Sequence, residues 1–93
     1  VLTSSVSYFE IANVPSGVSD FVIKIVQDST GGRTADIDNF QPVGGGTQYP
    51  VYWPAGGVLP IMTSTASRGD IYSYRTFDGG TTWYGTVIGQ NFA

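Results

Sequence analysis

The chain has no cysteine and no histidine. Without cysteine there is no disulfide framework and no thiolate site. Without histidine the commonest general base, zinc ligand and pH switch are missing. Glutamate occurs once, at Glu10. The paired carboxylates of a glycosidase would therefore have to be aspartates, and most of these flank turns, where Asp serves the backbone. Charge is scarce: Asp, Glu, Lys and Arg make up 12% of the residues, about half the usual share. The four basic residues, Lys24, Arg33, Arg68 and Arg75, are scattered, and the net charge is −3. No basic patch exists to neutralise phosphates, so neither nucleic acid nor an anionic membrane surface is an expected partner. No apolar run approaches the roughly 20 residues of a membrane-spanning helix. The opening VLTSSVSY lacks the basic and apolar regions of a signal peptide. A start at Val1 rather than Met reads as that of a piece of a longer product. The Gly clusters lack the Lys of a phosphate-binding loop. No catalytic constellation emerges, and neither enzymatic activity nor a cofactor is expected.

What is present is β-forming sequence broken by turns. The length of 93 residues suits one domain, 1–93, and a domain this small buries only roughly 60–65% of its unfolded surface. Thirteen Gly and five Pro punctuate runs of Val, Ile, Tyr, Phe and Thr, and no stretch has helical spacing. A first strand is expected over Val6–Val14, with Val6, Tyr8 and Glu10 opposite Phe9 and Ile11. Pro15-Ser16-Gly17 ends it. The nearly continuous apolar run Asp20–Asp28 reads as a central strand covered on both faces. A short strand is expected within Arg33–Phe40, then a long loop over Gln41–Pro50. Short strands follow at Val51–Pro54 and at Val58–Thr63, the latter confined to an edge or a bend by Pro60. The clearest alternation lies in Asp70–Phe77 and Thr81–Gly89. Tyr72, Tyr74 and Thr76 oppose Ile71, Ser73, Arg75 and Phe77. Trp83, Gly85 and Val87 oppose Tyr84, Thr86 and Ile88. Asp78-Gly79-Gly80 between them is a strong hairpin signal. The fold class expected is all-β: a small antiparallel sandwich or jelly roll of seven to eight strands.

Three short motifs compete for attention. TFDGGTTW (Thr76–Trp83) fits the Asp-box of sialidases and other propellers. In that turn Asp78 accepts backbone N–H bonds, Gly79 and Gly80 take positive φ, and Trp83 packs beneath. Those are structural jobs, and a propeller needs several copies where this chain has one. Arg68-Gly69-Asp70 spells the adhesion tripeptide, yet Gly between polar residues is ordinary turn chemistry. Asp36, Asp38 and Asn39 are weak candidates for a cation site, without the Gly and Glu of an EF-hand loop. A different signal is the aromatic content of 14%. Tyr49, Tyr52, Trp53, Tyr72, Tyr74 and Tyr84 are candidate interface or ligand aromatics, since such side chains join apolar area to a polar tip. The competing reading is that half of them fill the core.

Three segments in order, QDSTGGRT (27–34), YWPAGGVLPIMTSTASRGDIYSY (52–74) and DGGTTWYGTVIGQNFA (78–93), carry a resemblance. They resemble a β-rich C-terminal module of tailed-bacteriophage virion proteins, of the tail-fibre, head-fibre or capsid-decoration type. The likeness covers about two-thirds of the chain, and an ordered set is more specific than any one segment. The long stretch Ala35–Pro50 departs from the pattern. The resemblance implies a non-enzymatic structural protein located on the virion. It implies a homotrimer partnered by capsid or tail proteins. A fibre tip recognising a host surface glycan is the alternative, and a carbohydrate-binding β-sandwich module a third. Partner contacts are expected at loops 28–33, 41–50 and 64–69, and Val6, Tyr8 and Phe9 near a junction to an upstream part.

Overall fold

The computed structural model describes all 93 residues. Six strands form in chain order: β1 (Phe9–Ile11), β2 (Ser19–Val26), β3 (Phe40–Pro42), β4 (Val51–Tyr52), β5 (Gly69–Thr76) and β6 (Trp83–Phe92). β2, β5, β6 and β4 make one sheet in that spatial order, and β1 pairs with β3 in a second, two-stranded sheet. The chain is all-β. Its single helix-like turn, Pro54–Gly57, has left-handed φ at Ala55 and Gly56, so no helix can grow from it.

The hairpin follows from local rules. β5 and β6 pair antiparallel from Tyr74↔Gly85 to Thr76↔Trp83, and β2 pairs antiparallel with β5 along all eight of its residues. Alternation puts Tyr72, Tyr74 and Thr76 inward and Arg75 outward. Gly85 has to be glycine: a Cβ there would lie 2.7 Å from the Trp53 ring.

Elsewhere the structure corrects the expectation. There are six strands and three isolated bridges rather than seven or eight strands. Two of the pairings, β1/β3 and β4/β6, are parallel rather than antiparallel. The Val6–Val14 strand shrinks to Phe9–Ile11, because Val6 bridges separately to Ala35 and Asn13 takes a left-handed φ. Strand β2 lies at the sheet edge, not its centre, and its Val22 is 61% exposed. Residues 33–39 contribute only the Ala35 bridge, whereas Gln41 and Pro42, assigned to a loop, belong to β3. β4 stops at Tyr52 where the Pro54 turn begins. Val58–Thr63 forms no strand. Pro60 has no N–H to give a ladder, and the Thr63 N–H goes to the Asp70 carboxylate instead.

The core lies on the inner face of the four-stranded sheet. Ile25, Ile37, Phe40, Trp53, Tyr72, Tyr74 and Trp83 are buried together, with Phe9, Ile11 and Phe21 packed against them. The rings interlock: Phe21 stacks on Tyr74 at 5.2 Å, and Phe40 meets Tyr74 at 4.7 Å. Such pairs add to simple area burial. Burial pushes the Tyr72 and Tyr74 hydroxyls above their ordinary range, so they stay protonated and donate, Tyr74 to the Ile37 carbonyl at 2.6 Å. The Trp53 indole N–H is buried with no acceptor in the chain, a costly arrangement for a donor.

Candidate interaction surfaces

Two surfaces remain uncovered, and the first is the outer face of the sheet. The register Asp20↔Arg75, Arg75↔Tyr84 and Tyr52↔Tyr84 sets one residue from each strand in a single row. The next row is Val22, Ser73 and Thr86. The Tyr52 and Tyr84 rings lie 5.8 Å apart, and Phe77 meets Tyr84 edge-on at 5.7 Å. All three rings are exposed, Tyr84 by 47%. Ser73, Arg75, Phe77, Tyr84 and Thr86 enclose a shallow cleft of about 370 Å³. The Arg75 guanidinium donates to Asp20 at 2.7 Å, and both side chains face solvent.

The second surface is an apolar rim beside the end of β6. Val87, Ile88 and Phe92 are exposed on the strand, and Val58, Leu59 and Ile61 on the segment before β5, Ile61 by 90%. The Gln90 amide donates to the Ile61 carbonyl at 2.7 Å, tying the rim to the strand. β4 pairs only with Trp83 and Tyr84, so no strand lies against β6 on that side beyond Gly85. From Thr81 to Ala93 there is no charged residue.

Asp70 organises this rim from below. It is 1% exposed. One carboxylate oxygen accepts from the Thr63 N–H at 2.8 Å, the Tyr72 hydroxyl at 2.8 Å and the Gln90 amide at 3.2 Å. The other accepts from the Asn91 N–H at 2.9 Å. Burial opposes its charge, but the Thr63 and Asn91 N–H groups and the Tyr72 hydroxyl outweigh it and hold the carboxyl below its ordinary value.

A comparable anchor sits at Gln27 and Asp28. Gln27 is buried; its amide oxygen accepts the Arg33 N–H at 3.0 Å while its NH₂ donates to the Arg33 and Thr63 carbonyls. Asp28 accepts the Gly31 N–H at 2.9 Å, the Thr30 N–H and the Arg33 guanidinium. The Gly31 N–H and the Arg33 side chain stabilise its charged form and hold its carboxyl below the usual carboxylate range.

The sequence candidates divide accordingly. Tyr52 and Tyr84 reach the outer face, Tyr49 is half-buried, and Trp53, Tyr72 and Tyr74 lie in the core, out of reach of a ligand. Asp78 accepts the Thr82 N–H and the Thr76 hydroxyl, both at 2.9 Å, and these hold its carboxyl low against burial. Gly79 and Gly80 supply the positive φ, and the Trp83 indole donates to the Gly80 carbonyl at 3.0 Å. The turn is complete without a ligand. In Arg68-Gly69-Asp70 the carboxylate is buried and taken, so it offers nothing to an adhesion receptor. Asp36 and Asp38 belong to no cluster of three groups able to hold a metal ion. Loops 28–33 and 64–69 pack on one another, the Gly32 N–H on the Ser64 carbonyl and the Ser67 N–H on the Asp28 carbonyl. Loop 41–50 stands away from them, with the Gly44 N–H on the Glu10 carboxylate at 2.7 Å. An open apolar groove of about 320 Å³ runs along Ile11, Val14, Phe21 and Trp83. The rim residues Val58, Leu59 and Ile61, and the cleft partners Ser73, Arg75, Phe77 and Thr86, were not among the candidates. The alternation of β5 and β6 was the signal for the cleft; nothing in the sequence marked the rim. No protein-family model, curated protein or solved structure matches the chain.

Proposed function

We propose that the chain is a non-enzymatic surface module of a tailed-bacteriophage virion, a fibre or capsid-decoration component. It associates with copies of itself, as a homotrimer, and with capsid or tail proteins. Its two sheets form a small sandwich around the aromatic core. The observation that carries this reading is the rim: an exposed apolar segment, Val58, Leu59 and Ile61, tied through Gln90 to an unpaired, uncharged strand end that itself exposes Val87 and Phe92. Apolar surface of this kind, next to a strand with free backbone groups, is what one protein offers another. The resemblance of segments 27–34, 52–74 and 78–93 supplies the setting. A small core gives a further reason for association, since an assembled state adds burial that the single chain lacks.

The test is the mass of the 93-residue chain in solution, by light scattering after size exclusion. A trimer that Ile61→Asp converts to monomer is the expected result. A monomer at every concentration, with no binding to purified virions, would rule the reading out.

A further inference from the structure

We propose that the cleft over Tyr84 is a binding site for a neutral saccharide. A pyranose ring has an apolar face of C–H groups and a rim of hydroxyls, so its site needs an exposed aromatic ring with donors and acceptors around it. Tyr84 provides the ring, extended by Tyr52 and Phe77 on its two sides. C–H groups carry a slight positive charge and settle on the negative face of such a ring. The Ser73 and Thr86 hydroxyls lie in the same cleft, and the Arg75 guanidinium with its Asp20 partner closes one end.

Charge selects among ligands. Arg75 is already neutralised by Asp20 at 2.7 Å. A phosphate, sulfate or acidic sugar would have to displace that carboxylate, whereas a hydroxyl can accept from the guanidinium and donate to the carboxylate at once. Position supports the same reading. Ser73, Arg75, Tyr84 and Thr86 stand where β5 and β6 pair without a break, from Tyr72↔Val87 to Thr76↔Trp83, so their spacing is set before a ligand arrives. The volume of about 370 Å³ falls within the range of small-molecule sites, and its open side leaves a polymer free to run past. The site is on the outer sheet face and is lined by residues of one chain, so it does not depend on self-association.

The 93-residue chain would be screened on an array of neutral gluco-, manno-, galacto- and N-acetylhexosamine oligosaccharides, and the best binder titrated by calorimetry. Saturable binding is expected. Tyr84→Ala should weaken it about tenfold, the scale of one lost ring stack, Tyr84→Phe should retain it, and Arg75→Ala should weaken it. Urea midpoints near wild type confirm that the variants fold. No binding anywhere on the array, or binding that Tyr84→Ala leaves intact, overturns the proposal. The mass of the same samples separates the two readings: a trimer without saccharide binding sinks only this one, and a binding monomer sinks only self-association.

Discussion

The β5–β6 hairpin and the irregular segments behind it, 27–34 and 61–68, are held by different kinds of bond. In the hairpin, backbone pairs with backbone residue by residue, and side chains are needed only where Asp78 and Thr76 close the turn. Behind it, three side chains do what a neighbouring strand would do. Gln27 takes both backbone groups of Arg33, Asp28 takes two N–H groups of its own loop, and Asp70 takes those of Thr63 and Asn91. A ladder spreads its stability over many exchangeable bonds. An anchor concentrates it, so that one substitution strands several buried groups together.

Breaking the core beneath the hairpin should have the largest effect. Trp83 packs against Phe21 and Phe40 and closes the hairpin turn, so Trp83→Ala should cost about 4 kcal/mol in urea unfolding. Asp70→Ala should cost about 3 kcal/mol by leaving its buried donors unpaired. It also sharpens the contrast: hydrogen exchange at Thr63 and Asn91 should quicken well before the central β5–β6 amides. Acid offers a graded version. Asp28, Asp70 and Asp78 all ionise below the ordinary value of 3.8 in the folded chain. Their contribution is therefore fully present above that pH and is lost as pH falls through their lowered values. A denaturation series below pH 4 should show this fall, and Asp70→Asn should flatten it. A smaller effect separates the two tryptophans. Trp83→Phe discards a hydrogen bond to Gly80, whereas Trp53→Phe removes a donor that has no partner. Thermal melting should find Trp53→Phe the milder change. The exposed Arg75–Asp20 pair comes last: Asp20→Ala should shift stability by less than about 1 kcal/mol.

The same division governs how far the chain could be read without coordinates. β5, β6 and their turn were legible because period-2 alternation and an Asp-Gly signal are local, and both act within about a dozen residues. β2 was recognisable as a strand but not as an edge, since an apolar run records burial potential and not neighbours. The β1/β3 and β4/β6 pairings were hidden, because a parallel pairing joins residues far apart with no turn to announce it. Val58–Thr63 misled: its residues favour strands, but the bonds that position it come from Asp70 and Gln90. Of the candidate aromatics, two-fold alternation could have placed Tyr72 and Tyr74 inside and Tyr84 outside. Trp53 needed the fold, because only the Gly85 gap shows where its ring goes.

The bare flank of β6 also makes that strand a growing end. Most edge strands are interrupted by a lysine, a proline or a bulge that faces any newcomer. From Thr86 to Phe92 this one has neither lysine nor proline, and relies on the register shifts that break its pairing with β5 beyond Tyr72↔Val87. On the self-association proposed above, chains held at high concentration are thus in a race. Ordered docking is one competitor, and open-ended cross-β stacking is the other. Thr86→Lys would slow the second, and its effect on the first would reveal how much of the proposed docking runs through that edge.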